Sequence, residues 1–457
     1  MRIEQLYTKC LYQGAYFIES KGEIAVVDPL RDPIPYIEKA NKLNGKIKYI
    51  FETHVHADFV SGHLSLSKKT NAPIIYGPNT ITGFKCIIAE DYQEFKVGDL
   101  TLQLIHTPGH TIESSCILIS KANKKLAILT GDTLFLGDVG RPDLSQSNTK
   151  NKNKMAELLY DSLRNKIMIL PDHILVYPAH GAGSKCGKNM IKETVDTLGN
   201  QKKTNYALRE DMTKEEFVKE VNSGLETPPI YFTMNVKMNR SGYEDVDSII
   251  NKSFNGLRVE EFEKIANLNK ALILDVRDKK NYAKEHLPGS LFIGLEGAFA
   301  PWVGSIVKNV KTPILIVAPE NKEQEAIKRL SRVGFDNVLG YLKGGFNSWK
   351  KNHKKFDSLL SISVNEILNK EIDYKFYDVR NKSEHLNGHI SNTINVPLDN
   401  IYSLFNYFPK KSSFYVHCES GYRSVIAISI LKSKGFHSAI NIKGGYSALK
   451  KGKFNFN

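Results

Sequence analysis

The chain has 457 residues, of which 41% are hydrophobic and 25% charged, and its formal net charge is +14. A length of this order predicts about three domains with ordinary buried cores. No apolar run approaches the roughly 18 residues that a membrane-spanning helix requires, and the first residues, MRIEQLYTKCLYQGAYF, lack the apolar segment of a secretory signal.

The excess positive charge is spread along the whole chain rather than gathered in a basic arm. Lysines in this pattern are typical of solvated surfaces, so neither a nucleic-acid nor a membrane partner is expected. The same field would attract a small anionic substrate. The five cysteines are widely spaced and odd in number, which predicts free thiols in a reducing cytoplasm: Cys10, Cys86, Cys116, Cys186 and Cys418.

Short apolar segments that end in turn residues predict an α/β alternation through the first 200 residues; examples are GEIAVVDP, IKYIFETH, TLQLIHTPGH, SSCILIS and KLAILTGD. The segment TKEEFVKEVNSGL at 213–225 opens with a T-x-x-E capping box and closes on glycine, which predicts a helix. The irregular stretch that follows contains Pro, Asn and Ser. We therefore expect a first domain over 1–230 and a linker over 231–255.

An internal repeat occupies the rest of the chain. LDVRDKKNYAKEHLPGSLFI at 274–293 matches YDVRNKSEHLNGHISNTINV at 377–396, which aligns Asp275 with Asp378. Further on, GFDNVLGYLKGGFNSWK matches GFHSAINIKGGYSALK. Two tandem α/β domains, over 256–354 and 355–457, are predicted.

Residues that bind metals follow several of the apolar strands in the first domain. Ligand-type side chains delivered from separate strand ends to one point are what a metal site requires. Single histidines such as His63 or His106 would be explained by structural hydrogen bonds, but the set predicts a metal site. Its members are His54, His56, Asp58, His106, His110, Asp132 and His180.

The motifs H-x-H-x-D, HTPGHT, GDTLF and PAHG resemble those of the metallo-β-lactamase fold, an αββα sandwich. In the hydrolytic members of that superfamily, a histidine completes a second metal site at the position that Phe59 occupies here. Phenylalanine cannot ligate a metal, so the resemblance implies one metal ion per chain.

The stretch GDTLFLGDVGRPDL at 131–144 is similar to that of persulfide dioxygenases within this superfamily. The resemblance implies Fe(II) held by His56, His110 and Asp132, a set of two imidazoles and one carboxylate. It also implies groups around the ligands and the substrate: His54, Asp58, His180, Arg141 and Tyr177. Arg141 would hold the loop near the site by hydrogen bonding, and Tyr177 would face the substrate. A purely structural role is the alternative for each.

Cys186 follows the His180 loop in the segment GAGSKCGKNM. It is either an ordinary buried thiol or a sulfur relay at the mouth of the site. Lys185 and Lys188 flank it, and we expect them to lower the pKa of the thiol.

The last repeat contains C-E-S-G-Y-R-S running directly into an apolar helix. Backbone N–H groups of such a loop form an anion cradle, and a cysteine at its first position would be a thiolate able to carry sulfur. The segment resembles the active-site loop of rhodaneses. Its predicted functional residues are Cys418, Glu419, Ser420, Gly421, Tyr422, Arg423 and Ser424.

The corresponding segment of the earlier repeat, PILIVAPENKEQEAIKRL, lacks this loop. Alignment sets Pro319 opposite Cys418, Lys322 opposite Gly421 and Gln324 opposite Arg423. With the nucleophile absent and glutamates beside the anion pocket, we expect this domain to be catalytically silent.

The whole order of motifs is similar to that of the CstB-type persulfide dioxygenase–rhodanese fusions. The resemblance implies oxidation of a low-molecular-weight thiol persulfide by O₂ to sulfite, coupled to rhodanese transfer that forms or uses thiosulfate, in a homo-oligomer. Two alternatives remain. One is a zinc thiolester hydrolase of the glyoxalase II type with an appended sulfurtransferase, and the other is a non-catalytic sulfur-binding scaffold.

Overall fold

The computed structural model describes residues 1–144, 149–369, 375–452 and 454–457. It divides into two compact units, one of Met1–Ile249 with Ser331–Gly334 and one of Ile250–Leu330 with Phe335–Asn457. Within the described ranges, no helix combines the length and apolarity needed to cross a bilayer. All five cysteines are free thiols.

Two six-stranded sheets form the first unit. The strands of one sheet are adjacent in chain order: β1 Arg2–Thr8, β2 Gln13–Ser20, β3 Glu23–Val27, β4 Lys46–Phe51, β5 Ile74–Tyr76 and β6 Ile87–Ile88. The strands of the other sheet are β7 Glu94–Val97, β8 Leu100–His106, β9 Ser115–Lys121, β10 Lys124–Gly131, β11 Leu175–Pro178 and β12 Asp196–Thr197. β10 and β11 are parallel, whereas β7 to β10 form antiparallel pairs.

Strand β2 shows why the two sheets stack. Its residues are apolar on both faces: Tyr16 and Ile18 join the core between the sheets, whereas Ala15 and Phe17 face the outer helices. Because side chains alternate along a strand, this continuous apolar run requires cover on both sides.

Helices cover the outer faces of both sheets. They are α1 Ile34–Lys42, α2 His63–Thr70, α3 Thr149–Ser162, α4 Leu198–Thr204, α5 Lys214–Asn222, α6 Tyr231–Ser241 and α7 Val246–Ser253. The result is the predicted αββα sandwich. Helix α5 opens with the predicted capping box between Thr213 and Glu216. The predicted linker over 231–255 is wrong, because α6 and α7 occupy most of it. Helix α6 buries Tyr231, Phe232, Asn235 and Asn239.

The second unit contains two five-stranded parallel sheets of the same topology. The first repeat has strands β13 Gly256–Leu257, β14 Leu272–Asp275, β15 Leu291–Phe292, β16 Ile314–Val317 and β17 Val338–Leu342, and helices α8 Val259–Asn269, α9 Lys279–Lys284, α10 Phe299–Ile306, α11 Glu323–Ser331 and α12 Gly345–Lys351. The second has strands β18 Leu360–Ile362, β19 Phe376–Asp378, β20 Ile394–Asn395, β21 Phe414–His417 and β22 Ala439–Ile442, and helices α13 Val364–Leu368, α14 Lys382–Leu386, α15 Arg423–Ser433 and α16 Gly445–Leu449. The strand orders, β13-β17-β16-β14-β15 and β18-β22-β21-β19-β20, are equivalent, as the internal repeat predicted.

Candidate metal centre and sulfur-transfer loop

Loops that follow strands β4, β8 and β10 bring three ligand-type side chains together. The ligand atoms of His54, His110 and Asp132 all lie within 4.8 Å of one another. The Nε2 atoms of His54 and His110 lie 3.8 and 3.4 Å from Oδ2 of Asp132. All three side chains are buried, so water does not compete for their donor atoms.

Both imidazoles are oriented with Nε2 toward the centre of this cluster. Nδ1 of His110 lies 2.8 Å from the carbonyl of Arg141, which can only accept, so Nδ1 carries the proton. Nδ1 of His54 lies 3.0 Å from the hydroxyl of Thr53, which donates its own proton to Asp28. Hydrogen bonds of this kind fix the tautomer that leaves Nε2 free to bind a metal.

The charges in the cluster also suit a cation. Burial and the neighbouring His56 hold the pKa of His54 well below its usual range, so His54 is neutral. Burial alone would raise the pKa of Asp132, but His180 and His54 lower it well below the ordinary value. Oδ2 of Asp132 is buried and accepts no hydrogen bond from the described residues. Two imidazoles and one carboxylate therefore fit a divalent cation.

The structure corrects the predicted ligand set by one histidine. Nε2 of His56 lies 3.1 Å from Asp28 and 3.3 Å from Glu52, in a separate buried cluster. Burial would lower the pKa of His56, but these two carboxylates raise it well above its usual range. A protonated imidazole has no lone pair for a metal, so His54 takes the place predicted for His56.

Beside the cluster, His180 bridges two carboxylates. Its Nδ1 and Nε2 atoms lie 2.8 Å from Asp132 and from Asp58. Burial would lower the pKa of His180, but Asp132 and Asp58 raise it to about 10. Phe59 is fully buried with its ring 4.4 Å from that of His56, and it contributes no donor atom.

Cys186 lies next to this second group, with its sulfur in ligand range of Asp58 and His180. The expected depression of its pKa is wrong, since burial and the carboxylates of Asp132 and Asp58 raise the pKa well above the usual value. The flanking Lys185 and Lys188 do not compensate, because their ammonium groups pair with Glu226 and Glu220.

Two further predicted residues have structural surroundings. Arg141 donates a pair of hydrogen bonds to Asp143, at 2.6 and 2.8 Å, and one to the carbonyl of Glu226, so it joins three parts of the loop region. The ring of Tyr177 packs edge-on against Tyr16 in the core between the sheets, 5.6 Å away. Tyr177 is not among the residues that line the cavity beside the cluster, which favours the structural alternative.

A cavity of about 750 Å³ opens beside His110. Its lining includes two cations and two carboxylates. Several apolar residues of α6 and the segment before it complete the lining, among them Ile230 and Phe232; the charged members are Lys152, Arg240, Glu113 and Asp143. Part of this wall comes from the segment that the sequence suggested was a linker.

Helix α6 also supplies a positioning residue that sequence reasoning missed. The buried amide of Asn239 donates to the carbonyls of His56 and Phe59, both at 2.8 Å, and accepts from the N–H of Ser61 at 2.9 Å. It therefore links helix α6 to the H-x-H-x-D loop, which lies more than 170 residues earlier in the sequence. The sequence feature that could have identified it is its spacing of four residues from Asn235, which places both side chains on one face of a helix.

The second candidate centre is Cys418, at the end of β21 and before α15. The N–H of Gly421 lies 3.1 Å from the sulfur of Cys418, and the hydroxyl of Ser424 lies 3.7 Å from it. Gly421 has φ +87°, which aims its N–H inward. Backbone donors at the start of a helix stabilise a thiolate.

Two other members of this loop make contacts with residues outside it. Arg423, predicted as catalytic, forms a two-point ion pair with Glu384 at 2.5 and 2.7 Å. Glu419 accepts from the hydroxyl of Ser447 at 2.6 Å. Arg423 is thus fixed beside the thiol, and its guanidinium is shared with a carboxylate.

The strand register corrects the predicted alignment of the two loops by one residue. β16 ends at Val317 and β21 ends at His417, each paired with the aspartate that ends a neighbouring strand. The next residues therefore correspond, so Ala318, and not Pro319, stands opposite Cys418. Alanine offers no nucleophile, which leaves the expectation of a silent domain intact.

The remaining loop positions follow the same register. Asn321, rather than Lys322, corresponds to Gly421, and both have a positive φ, +63° and +87°. Glu323 corresponds to Arg423, since each is the first residue of its helix. The loop of the first repeat shares the positive φ at the position of Gly421 and has neither the thiol nor the cation.

Comparison with known families agrees with the fold described above. The model of the metallo-β-lactamase superfamily matches residues 9–85, and that of the rhodanese-like domain matches twice, at 258–352 and 363–451. Probable polyketide biosynthesis zinc-dependent hydrolase PksB of Bacillus subtilis is 30% identical over 194 residues, which cover 40% of this chain and 80% of that protein. The chain belongs to the metallo-β-lactamase superfamily through its first domain, and it carries two rhodanese-like domains.

Two further similar proteins agree with this fold. Probable hydroxyacylglutathione hydrolase glo2 of Schizosaccharomyces pombe is 32% identical over 159 residues, 34% of this chain, and the chain spans only 58% of its length. A crystal structure of a metallo-β-lactamase from Staphylococcus aureus subsp. aureus COL has a TM-score of 0.66 and 29% identity, and covers 75% of this chain and 99% of its own.

Proposed function

We propose that this chain is an Fe(II)-dependent persulfide dioxygenase joined to a sulfurtransferase, like the CstB-type fusions that its motifs resemble. The observation that carries the proposal is the donor set of His54, His110 and Asp132, whose ligand atoms lie within 4.8 Å of one another, with Phe59 buried nearby. Two imidazoles and one carboxylate are the donor set of non-haem Fe(II) oxygenases. The similarity of GDTLFLGDVGRPDL to persulfide dioxygenases supports the same reaction.

The balanced reaction is R–S–SH + O₂ + H₂O → R–SH + SO₃²⁻ + 2H⁺, in which the outer sulfur is oxidised and O₂ is reduced. Fe(II) bound to the three side chains would supply open coordination positions for sulfur and for O₂. The cavity beside His110 binds the carrier thiol, whose polar groups meet both the cations Lys152 and Arg240 and the carboxylates of Glu113 and Asp143. Apolar residues such as Phe232 exclude bulk water from the reacting sulfur.

Cys418 performs the second reaction. Its thiolate attacks the outer sulfur of a donor such as thiosulfate, the S–S bond of the donor breaks, and sulfite leaves with the electron pair. The persulfide on Cys418 then gives that sulfur to an acceptor nucleophile. The reverse step is attack of sulfite on the persulfide of Cys418, which forms thiosulfate and releases the Cys418 thiolate. Because sulfite is a product of the first site, the two sites share a metabolite.

A zinc thiolester hydrolase is the second candidate, and the similarity to a probable hydroxyacylglutathione hydrolase favours it. Samples of the full chain loaded with Fe(II) or with Zn²⁺ should be compared on a persulfide and on S-lactoylglutathione. We expect sulfite from the iron-loaded sample only, and thiosulfate from it when Cys418 is intact. Hydrolysis of the thiolester by the zinc-loaded sample, without sulfite from either sample, would support the hydrolase instead.

A further inference from the structure

A cavity of about 510 Å³ opens at the sulfur-transfer loop, and both repeats of the second unit line it. The silent repeat contributes Lys279, Lys280 and Lys284 from α9. The repeat that carries Cys418 contributes Gly421 and Lys443, among others. The silent domain therefore forms one wall of the second site.

The silent domain also holds the loop itself. The ammonium of Lys279 donates to the carbonyl of Ser420 at 2.7 Å, and the hydroxyl of Tyr422 donates to the carbonyl of Gly294 at 2.7 Å. The ring of Tyr422 packs edge-on against Phe292, 5.8 Å away. Contacts on two of the four residues after Cys418 show that this wall is tied directly to the nucleophile's loop.

The lining of the cavity is strongly cationic. Lys279, Lys280, Lys284 and Lys443 face it, and none of the described residues that line it is acidic. Lys280, Lys284 and Lys443 are exposed, so their ammonium groups are available to a ligand. A group of like charges around one cavity attracts an anion and suits a ligand with more than one negative charge.

Size and apolar surface restrict the ligand further. A cavity of about 510 Å³ is of the size that small organic ligands fill, and it exceeds what a sulfite or thiosulfate ion needs. Ala283, Leu359 and Val425 add apolar surface to the lining. The lining thus combines apolar and cationic surface.

We propose that the silent rhodanese-like domain is the binding site for the sulfur acceptor, and that this acceptor is an organic thiol whose aliphatic arm ends in a phosphate or a similar multiply charged group. The anionic end lies against Lys280 and Lys284, and the thiol reaches Cys418. The inference rests on the proposed sulfur transfer at Cys418: Cys418–S–S⁻ + R–SH → Cys418–S⁻ + R–S–SH, in which one S–S bond breaks and one forms.

Pantetheine and 4′-phosphopantetheine provide a matched pair of probes, because they share the thiol arm and differ by one phosphate. Sulfur transfer from thiosulfate to each thiol should be measured with the full chain, with the Lys280→Ala/Lys284→Ala variant and with Lys264→Ala/Lys270→Ala. The control lysines are exposed on the same domain and lie outside the cavity. Calorimetric titration of the same samples with 4′-phosphopantetheine gives affinity without turnover.

In the unmodified chain, we expect the KM for 4′-phosphopantetheine to be roughly five- to tenfold below that for pantetheine, the effect of two partly exposed cations on one phosphate. The ratio of the KM for pantetheine to the KM for 4′-phosphopantetheine should approach one in Lys280→Ala/Lys284→Ala and stay unchanged in the control. A ratio of one in the unmodified chain, or an equal preference in both variants, would overturn the inference.

The two proposals fail in different ways. Binding that weakens in Lys280→Ala/Lys284→Ala, in a chain that transfers no sulfur to either thiol, would support the site and contradict the proposed reaction at Cys418. Sulfur transfer that proceeds with the same KM for both thiols would support the reaction and contradict the site.

Discussion

Nε2 of His110 lies 3.4 Å from Oδ2 of Asp132, a buried oxygen that accepts no hydrogen bond from the described residues. Buried carboxylate oxygens are normally paired, because leaving one unpaired is energetically unfavourable. A cation shared between these two atoms and Nε2 of His54 would satisfy all three donors.

The corrected ligand set predicts that His54→Ala and His56→Ala differ in metal content. His54→Ala should lose most of the bound metal, because one of three donors disappears. His56→Ala should keep the metal but lose about 3–5 kcal/mol of stability, since it removes the imidazole that the buried carboxylates of Asp28 and Glu52 share. Metal per chain by mass spectrometry and urea unfolding distinguish the two. Metal retained in His54→Ala would refute the assignment.

We predict that substitution of the two glycines that flank helix α15 has different effects on sulfur transfer. Gly421 and Gly435 have φ of +87° and +86°, at the two ends of that helix. Alanine at either position should lower stability by about 1 kcal/mol, because a Cβ disfavours positive φ. Only Gly421→Ala should also lower the rate of sulfur transfer, by roughly tenfold, because the N–H that faces Cys418 shifts. Equal activities of the two variants would contradict the proposed cradle.

We predict that acidic pH destabilises the unit that contains Cys418, because His417 in that unit is buried and unprotonated in the folded chain. Burial lowers the pKa of His417 to about 4 from an ordinary 6.5. Between these values the unfolded chain binds the proton and the folded chain does not, so the free energy of unfolding falls on acidification by up to about 1.4 kcal/mol per pH unit. Above pH 6.5 this contribution does not change with pH.

Urea unfolding at about pH 5 and about pH 7 tests this slope. His417→Asn should show a shallower pH dependence than the unmodified chain, whereas His437→Asn, which replaces an exposed histidine, should not. The same slope in all three proteins would rule out this role of His417.

Cys186 should be protected from alkylation in the folded chain. It is buried, and burial with nearby carboxylates raises its pKa, so little reactive thiolate is present. Cys116, whose pKa burial raises to about 11, is the matched control and should be equally slow. Cys10 and Cys86, which are partly exposed, should react first in a mass-spectrometric time course. Fast labelling of Cys186 would restore the interpretation of a reactive thiol at the mouth.

Much of the fold was predictable because its signals are local or repeated. The apolar strands, the capping box at Thr213 and the matched blocks around Asp275 and Asp378 each depend on a few neighbouring residues. Helix α6 was missed for a related reason: its buried face carries two polar residues, Asn235 and Asn239, and the hydrogen-bond partners of Asn239 lie far away in the sequence.

The candidate site was predictable in its members and not in their arrangement. The sequence places His54 and His56 two residues apart, and nothing in that spacing tells which ring meets Asp132. The choice follows from Asp28 and Glu52, whose carboxylates capture His56 from outside the motif. The alignment of the silent loop failed similarly, because only strand pairing fixes Ala318 opposite Cys418.

Oxygen uptake by anaerobically purified, iron-loaded chain on addition of a low-molecular-weight persulfide tests the central proposal most directly. We expect O₂ consumption with formation of an equal amount of sulfite and thiosulfate combined, lost in His110→Ala and kept in Cys418→Ser, where the product is sulfite alone. No uptake by the iron-loaded chain, together with hydrolysis of S-lactoylglutathione by the zinc-loaded chain, would contradict it.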